Sequence, residues 1–142
     1  MIGDGLHVTY HTLHITSKYC RKMRSHKDLD AWKKSMDLVD SIYKVTKSFP
    51  NEELYSLTNQ MRRAVISVPS NIAEGAARGS KNEFVQFLYI SLGSLSELET
   101  QVIIANRLGY LILINPNNLL ESIMVIRKLI NGLIYSLKRE RE

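Results

Sequence analysis

Residues 80–109 read SKNEFVQFLYISLGSLSELETQVIIANRLG, and their spacing decides the fold class. Phe84, Phe87, Leu88, Leu92, Leu95, Leu98 and Val102 recur at intervals that stack side chains on one face of an α-helix. Ser80 and Glu83 have the spacing of a capping box, in which hydroxyl and carboxylate each serve an orphan backbone N–H at the helix start. Gly109 follows Leu108 where the pattern ends, and glycine readily takes the left-handed conformation that closes a helix. The stretch is one long amphipathic helix.

Working outward, the rest of the chain from Asp28 onward repeats this period, and no alternating strand pattern appears there. Leu29, Trp32, Met36, Val39 and Tyr43 predict a first helix that stops at Phe49-Pro50, with Lys33, Lys34, Asp37, Asp40 and Lys44 on its other faces. Asn51 is the expected N-cap of a second helix, with Glu52 and Glu53 in its first turn, where the helix dipole favours negative charge. That helix buries Leu57, Met61, Val65, Val68 and Ile72 and ends near Arg78-Gly79, with Pro69 expected to kink or break it near Ser67-Val68. Asn115-Pro116 opens a fourth helix carrying Leu119, Ile123, Ile126, Ile130, Leu133 and Leu137. Four such helices with short connections predict an all-α, up-down-up-down four-helix bundle, a single domain over residues 27–142.

Residues 1–26 have another texture. Val8, Tyr10, Leu13 and Ile15 mingle with threonines and histidines, which suits an N-terminal extension that is disordered or not native, with Met23 an alternative start. His7, His11 and His14 could share a helix face and bind a metal, although the β-branched surroundings disfavour a helix. The net charge of +5 also concentrates here. Residues 1–27 carry Lys18, Arg21, Lys22, Arg24 and Lys27 against Asp4, leaving 19 − 5 = 14 basic and 14 − 1 = 13 acidic residues in the remainder. Charge alone is therefore a weak argument for nucleic acid, because it rests on a segment outside the expected bundle. The single cysteine, Cys20, has no internal disulfide partner, and the chain shows neither a long apolar run nor a secretory signal pattern. These features predict a cytoplasmic protein with no membrane partner.

The second helix carries more than a core needs. Gln60, Arg63, Ser67, Asn71, Glu74 and Arg78 form a polar stripe, while Ile66, Ala73 and Ala77 form a small apolar strip expected to meet another subunit. Helical angle places Arg63 in a polar network, with Glu97 as an expected partner, and leaves Arg62, about 100° away, to face outward. Catalysis finds no support. All four histidines precede the first helix, so the bundle has no Glu-x-x-His metal pair and no histidine general base. Gly75 and Gly79 lack the spacing of a phosphate loop. The expectation is a non-enzymatic protein with no cofactor and no metal.

The segments HKDLDAWKKSMDLVDSIYKVTKSFP, ELYSLTNQMRRAVISVPSNIAEGAARGSKNEFVQFLYISLGSLSELETQ and ANRLGYL resemble the small bacterial four-helix bundles called 23S rRNA intervening-sequence proteins. That family is itself similar to the pentameric accessory protein of diversity-generating retroelements, which works with a reverse transcriptase and nucleic acid. The resemblance implies a ring-like homo-oligomer, a pentamer, without enzymatic activity. Gln60, Arg62, Arg63, Asn71, Glu74 and Arg78 fall on the family's signature positions, and Ser94, Glu97 and Glu99 on its second block. Two functions follow. In one, Arg62, Arg63, Arg78 and Lys81 supply charge, and Gln60 and Asn71 hydrogen bonds, to RNA or DNA phosphates. In the alternative, Arg63, Ser67, Asn71, Glu74, Arg78, Ser94, Glu97 and Glu99 form a polar network that fixes packing, and the bundle is an assembly module for another protein such as a reverse transcriptase.

Overall fold

The computed structural model describes residues 25–139. His7, His11, His14 and most of the expected N-terminal extension lie outside the described residues. Within them are four α-helices and no strand: α1 (Asp30–Thr46), α2 (Leu57–Ala77), α3 (Lys81–Arg107) and α4 (Pro116–Arg139). Single 3-10 turns at His26–Asp28 and Asn51–Glu53 precede α1 and α2.

Both ends of α3 and the start of α4 carry caps that their sequences signal, although the Glu83 carboxylate faces Arg78 and supplies no return bond to the Ser80 amide. The Ser80 hydroxyl accepts from the Glu83 amide at 3.4 Å. At the other end Gly109 has φ 77°, its amide donates to the Asn106 carbonyl, and the Tyr110 amide donates to the Ala105 carbonyl. This pair of bonds is the Schellman closure, and it satisfies carbonyls that the last turn leaves without partners. Asn115 Oδ1 accepts from the Asn117 amide at 3.0 Å, and Pro116 fills a helix position whose missing N–H costs nothing.

The second helix starts later than Asn51 predicts. Pro50 and Asn51 lead into the 3-10 turn instead, and the carboxylate of Glu53 accepts from the Ser56 hydroxyl at 2.6 Å and the Leu57 amide at 3.4 Å. Pro69 does not break α2. Its ring is buried, and the Ser91 hydroxyl of α3 donates to the neighbouring Val68 carbonyl at 3.0 Å. Packing against α3 thus holds the turn that proline alone would loosen.

The first helix requires the larger correction. Leu29 is buried as expected, but Trp32, Val39 and Tyr43 are only partly buried and Met36 is exposed. The row that enters the core is Ala31, Ser35, Leu38, Ile42 and Val45, rotated by about 100° from the predicted one. Ser35 and Thr46 are tolerated inside because their hydroxyls donate to the Ala31 and Ile42 carbonyls of the preceding turn.

Each helix packs against its chain neighbour, and α4 closes the cycle on α1. Met61, Val65, Val68 and Ile72 of α2, Leu88, Leu95, Leu98 and Val102 of α3, and Ile123, Ile126 and Ile130 of α4 are almost wholly removed from water. The α2–α3 seam is tight at Gly75, where an added Cβ would lie 2.6 Å from Phe87 Cβ.

Candidate functional site

The polar stripe of α2 divides into three parts. In the middle, Ser67 and Ser94 join their hydroxyls across the α2–α3 seam at 2.8 Å, and Asn71 Nδ2 donates to Ser67 Oγ at 2.9 Å and to its carbonyl at 2.8 Å. These groups satisfy one another and cross-link two helices. Towards the C-terminal end, Arg78 pairs with Glu74 at 3.2 Å, reaches Glu83 at 3.9 Å and lies over the Phe87 ring at 5.2 Å. Towards the N-terminal end, Gln60 and Arg63 are exposed and make no side-chain hydrogen bond or ion pair among the described residues.

The roles expected of the paired arginines are reversed. Arg62 is the held one: its Nε donates to Thr46 Oγ1 at 3.0 Å, and its guanidinium lies 4.7 Å from the centre of the Tyr43 ring. Both partners belong to α1, so Arg62 ties α1 to α2. No ion pair joins Arg63 to Glu97. Glu97 instead accepts from Gln101 Nε2 at 3.2 Å, and the buried Gln101 Oε1 has no donor. Glu99 belongs to neither network, since it pairs at 2.7 Å with Arg127 of α4. Lys81 is exposed at the first turn of α3.

Beside the stripe, the small apolar strip has unexpected company. Ile66 and Ala73 line an open groove of about 300 Å³ between α1 and α2, together with Pro69, Ser70, Trp32, Met36 and Val39. Ala77 is exposed on the same helix and does not line it. The groove explains what the outer row of α1 does: it forms the second wall. Two apolar rows on one helix are more than a single core can take, and that excess is the signal in the sequence. A second groove, between α1 and α4, is lined mainly by Lys34, Asp37, Ser41, Asn118, Glu121 and Ser122, so its charges are of both signs. Among the described residues, no group of three or more His, Cys, Asp or Glu is arranged to hold a metal. No helix there is long and apolar enough to cross a membrane.

Nothing in the sequence signals the latch between the two long connections. Tyr110 donates its hydroxyl to Glu53 Oε1 at 3.1 Å and packs on Phe49 with ring centres 5.4 Å apart. The Ser56 hydroxyl, the Leu57 amide and Tyr110 hold the Glu53 carboxyl below its ordinary 4.5, against partial desolvation. Desolvation first, then the Glu53 carboxylate, raises the Tyr110 hydroxyl above its ordinary 10.0. The lowered Glu53 value stabilises the fold above pH 4.5, and that contribution disappears as pH falls through the folded-state value. The raised Tyr110 value stabilises below pH 10.0 and is lost as pH rises through its own folded-state value. Thermal melts across pH are expected to show Glu53→Gln flattening the acid limb, and Tyr110→Phe flattening the alkaline limb; unchanged limbs would remove the latch.

The described residues thus form an all-α, four-helix protein around one core, with interlocked polar side chains on α2 and α3 and an open apolar groove between α1 and α2. The sequence profile of the 23S rRNA-intervening sequence protein family matches residues 27–132, and the chain belongs to that family. Among solved structures it is similar to a protein of unknown function from the S23 ribosomal protein family of Bacteroides thetaiotaomicron VPI-5482. The two share 24% sequence identity with a TM-score of 0.68, over 74% of this chain and 95% of that one, a likeness that speaks for the fold alone. No curated protein matches the chain.

Proposed function

We propose that the chain is a non-enzymatic bundle that assembles into a closed homo-oligomer and serves as a protein-assembly module in the ribosomal-RNA setting its family name denotes. The observation that carries this reading is the open groove walled by Trp32, Met36, Val39, Ile66, Pro69 and Ala73. Tryptophan and methionine are enriched at interface cores, and an apolar strip of this kind is costly to leave wet. An up-down-up-down course of the helices leaves the groove as a long lateral face, suited to subunits standing side by side. Arg62 and Arg78 support the same reading, because both already hold partners within the chain.

Direct binding to RNA is the second reading, favoured by exposed Arg63 and Gln60 on α2 and by exposed Lys33, Lys34 and Lys47 at α1. Light scattering and a titration with structured RNA at several salt concentrations separate the two. The assembly reading expects one oligomeric species at micromolar concentration, a pentamer by the family resemblance, with at most a shallow salt dependence of RNA binding. A monomer would overturn it. A steep loss of RNA affinity with salt, as release of counterions from several phosphates requires, would favour the second reading.

A further inference from the structure

We propose that the α1–α2 groove receives the Ile112-Leu113 turn of a second copy of this chain, in a head-to-tail contact; this rests on the assembly reading above. The α3–α4 connection is built as a fixed knob. Leu111 is buried at 9% exposure, Ile114 packs against the core and Tyr110 is latched to Glu53, yet Ile112 and Leu113 between them are 79% and 80% exposed. Anchoring on both sides means that little backbone freedom is lost when the two side chains are captured. The groove is the apolar counterpart, open at the surface with room for two branched aliphatic side chains and bearing Ile66 and Met36 at 41% and 39% exposure.

Charge fits the same pairing. Arg63 lies one helical turn from Ile66, at the end of the groove, while Glu52 is the chain neighbour of Glu53, whose carboxylate holds the Tyr110 hydroxyl beside the knob. Both are exposed, and neither has an ion-pair partner among the described residues. Knob and groove are different patches of one molecule, so their contact is heterologous and closes into a ring when the rotation allows.

Cross-linking tests the pairing in a Cys20→Ser background. Mixing an Ala73→Cys chain with a Leu113→Cys chain under mild oxidation is expected to give covalent dimers, and each chain alone none. The double variant is expected to give a ladder of covalent species. Leu113→Asp and Ile66→Glu, both at exposed positions, are expected to shift the oligomer to monomer with unchanged helicity by circular dichroism. Arg63→Glu is expected to raise the dissociation midpoint about threefold, in line with an exposed ion pair, and Glu52→Arg in the same chain to restore it. An oligomer that persists without cross-linking overturns the pairing and leaves the assembly reading standing, whereas a monomeric parent overturns both. Cross-linking of Ala73→Cys to itself, or to native Cys20 when that residue is kept, gives the groove another occupant and overturns the pairing.

Discussion

Gly75→Val is expected to destabilise the bundle by about 1–3 kcal/mol, the usual cost of forcing atoms into a filled core, read as a lower midpoint of chemical denaturation. The added Cβ would lie 2.6 Å from Phe87 Cβ, 2.9 Å from Phe84 Cδ2 and 3.3 Å from the Phe84 carbonyl oxygen. Phe87 Cβ is fixed to its backbone, so no rotation of the ring relieves the first clash, and α2 must move away from α3. That movement also stretches the Ser67–Ser94 and Ser91–Val68 bonds of the same seam. Gly93 is the control. It lies within α3, is exposed, and has nothing within 4 Å of an added Cβ. Gly93→Ala is therefore expected to stabilise by about 0.5–1 kcal/mol through helix propensity alone. Gly75→Ala gains the same propensity but meets the clash, so its net change is expected to be destabilising. If it stabilised as Gly93→Ala does, the seam would be looser than these distances.

Arg62→Ala is expected to cost about 1–2 kcal/mol, because the variant makes neither the hydrogen bond to Thr46 nor the cation–π interaction with Tyr43. Arg63→Ala is expected to stay within about 0.5 kcal/mol, as exposed positions usually do. Thr46 explains part of the asymmetry. Its hydroxyl donates to the Ile42 carbonyl and accepts from Arg62 Nε, so removing Arg62 leaves a buried acceptor position empty. Arg62→Lys is expected to recover little, because an ammonium cannot both lie flat on Tyr43 and present a guanidinium N–H to Thr46. Equal destabilisation by the two alanine variants, measured by denaturation, would contradict this assignment.

Those paired arginines also mark where sequence reasoning stops. Helical angle says which side chains share a face of α2, and it groups Ser67 with Asn71 and Glu74 with Arg78, as the structure does. It cannot say what the neighbouring helix offers, and the partners of Arg62, Tyr43 and Thr46, come from α1. The core faces of α2, α3 and α4 are legible because each carries one dominant row of large apolar residues. On α1 there are two rows, and size misleads: Trp32, Met36, Val39 and Tyr43 are the bulkier set, yet the narrow seat in the core takes Ala31, Ser35, Leu38, Ile42 and Val45. Caps at Ser80, Gly109 and Asn115 are readable because they depend only on neighbours in sequence. Asn51 looks equally local, but the Glu53 carboxylate does the capping, held between Ser56 and Tyr110 from the α3–α4 connection. Ile66 and Ala73 stand out as surplus to the core, whereas the groove they line needs α1 in place to be seen.

The cyclic order of packing has a consequence for how fast the chain finds its fold. α2 and α3 are joined by the briefest connection and α3 and α4 by residues 108–115, whereas the closure of α4 on α1 brings together the two helices farthest apart in sequence. Chain entropy opposes distant pairings most, so the nearby pairs form at small cost and the distant closure follows on a partly ordered chain. The α2–α3 hairpin, with only residues 78–80 between its helices, is the natural nucleus. Gly75→Ala is then expected to slow refolding in stopped-flow mixing, whereas a truncation such as Ile130→Ala in α4 is expected mainly to speed unfolding. The opposite pattern would put the nucleus elsewhere in the cycle.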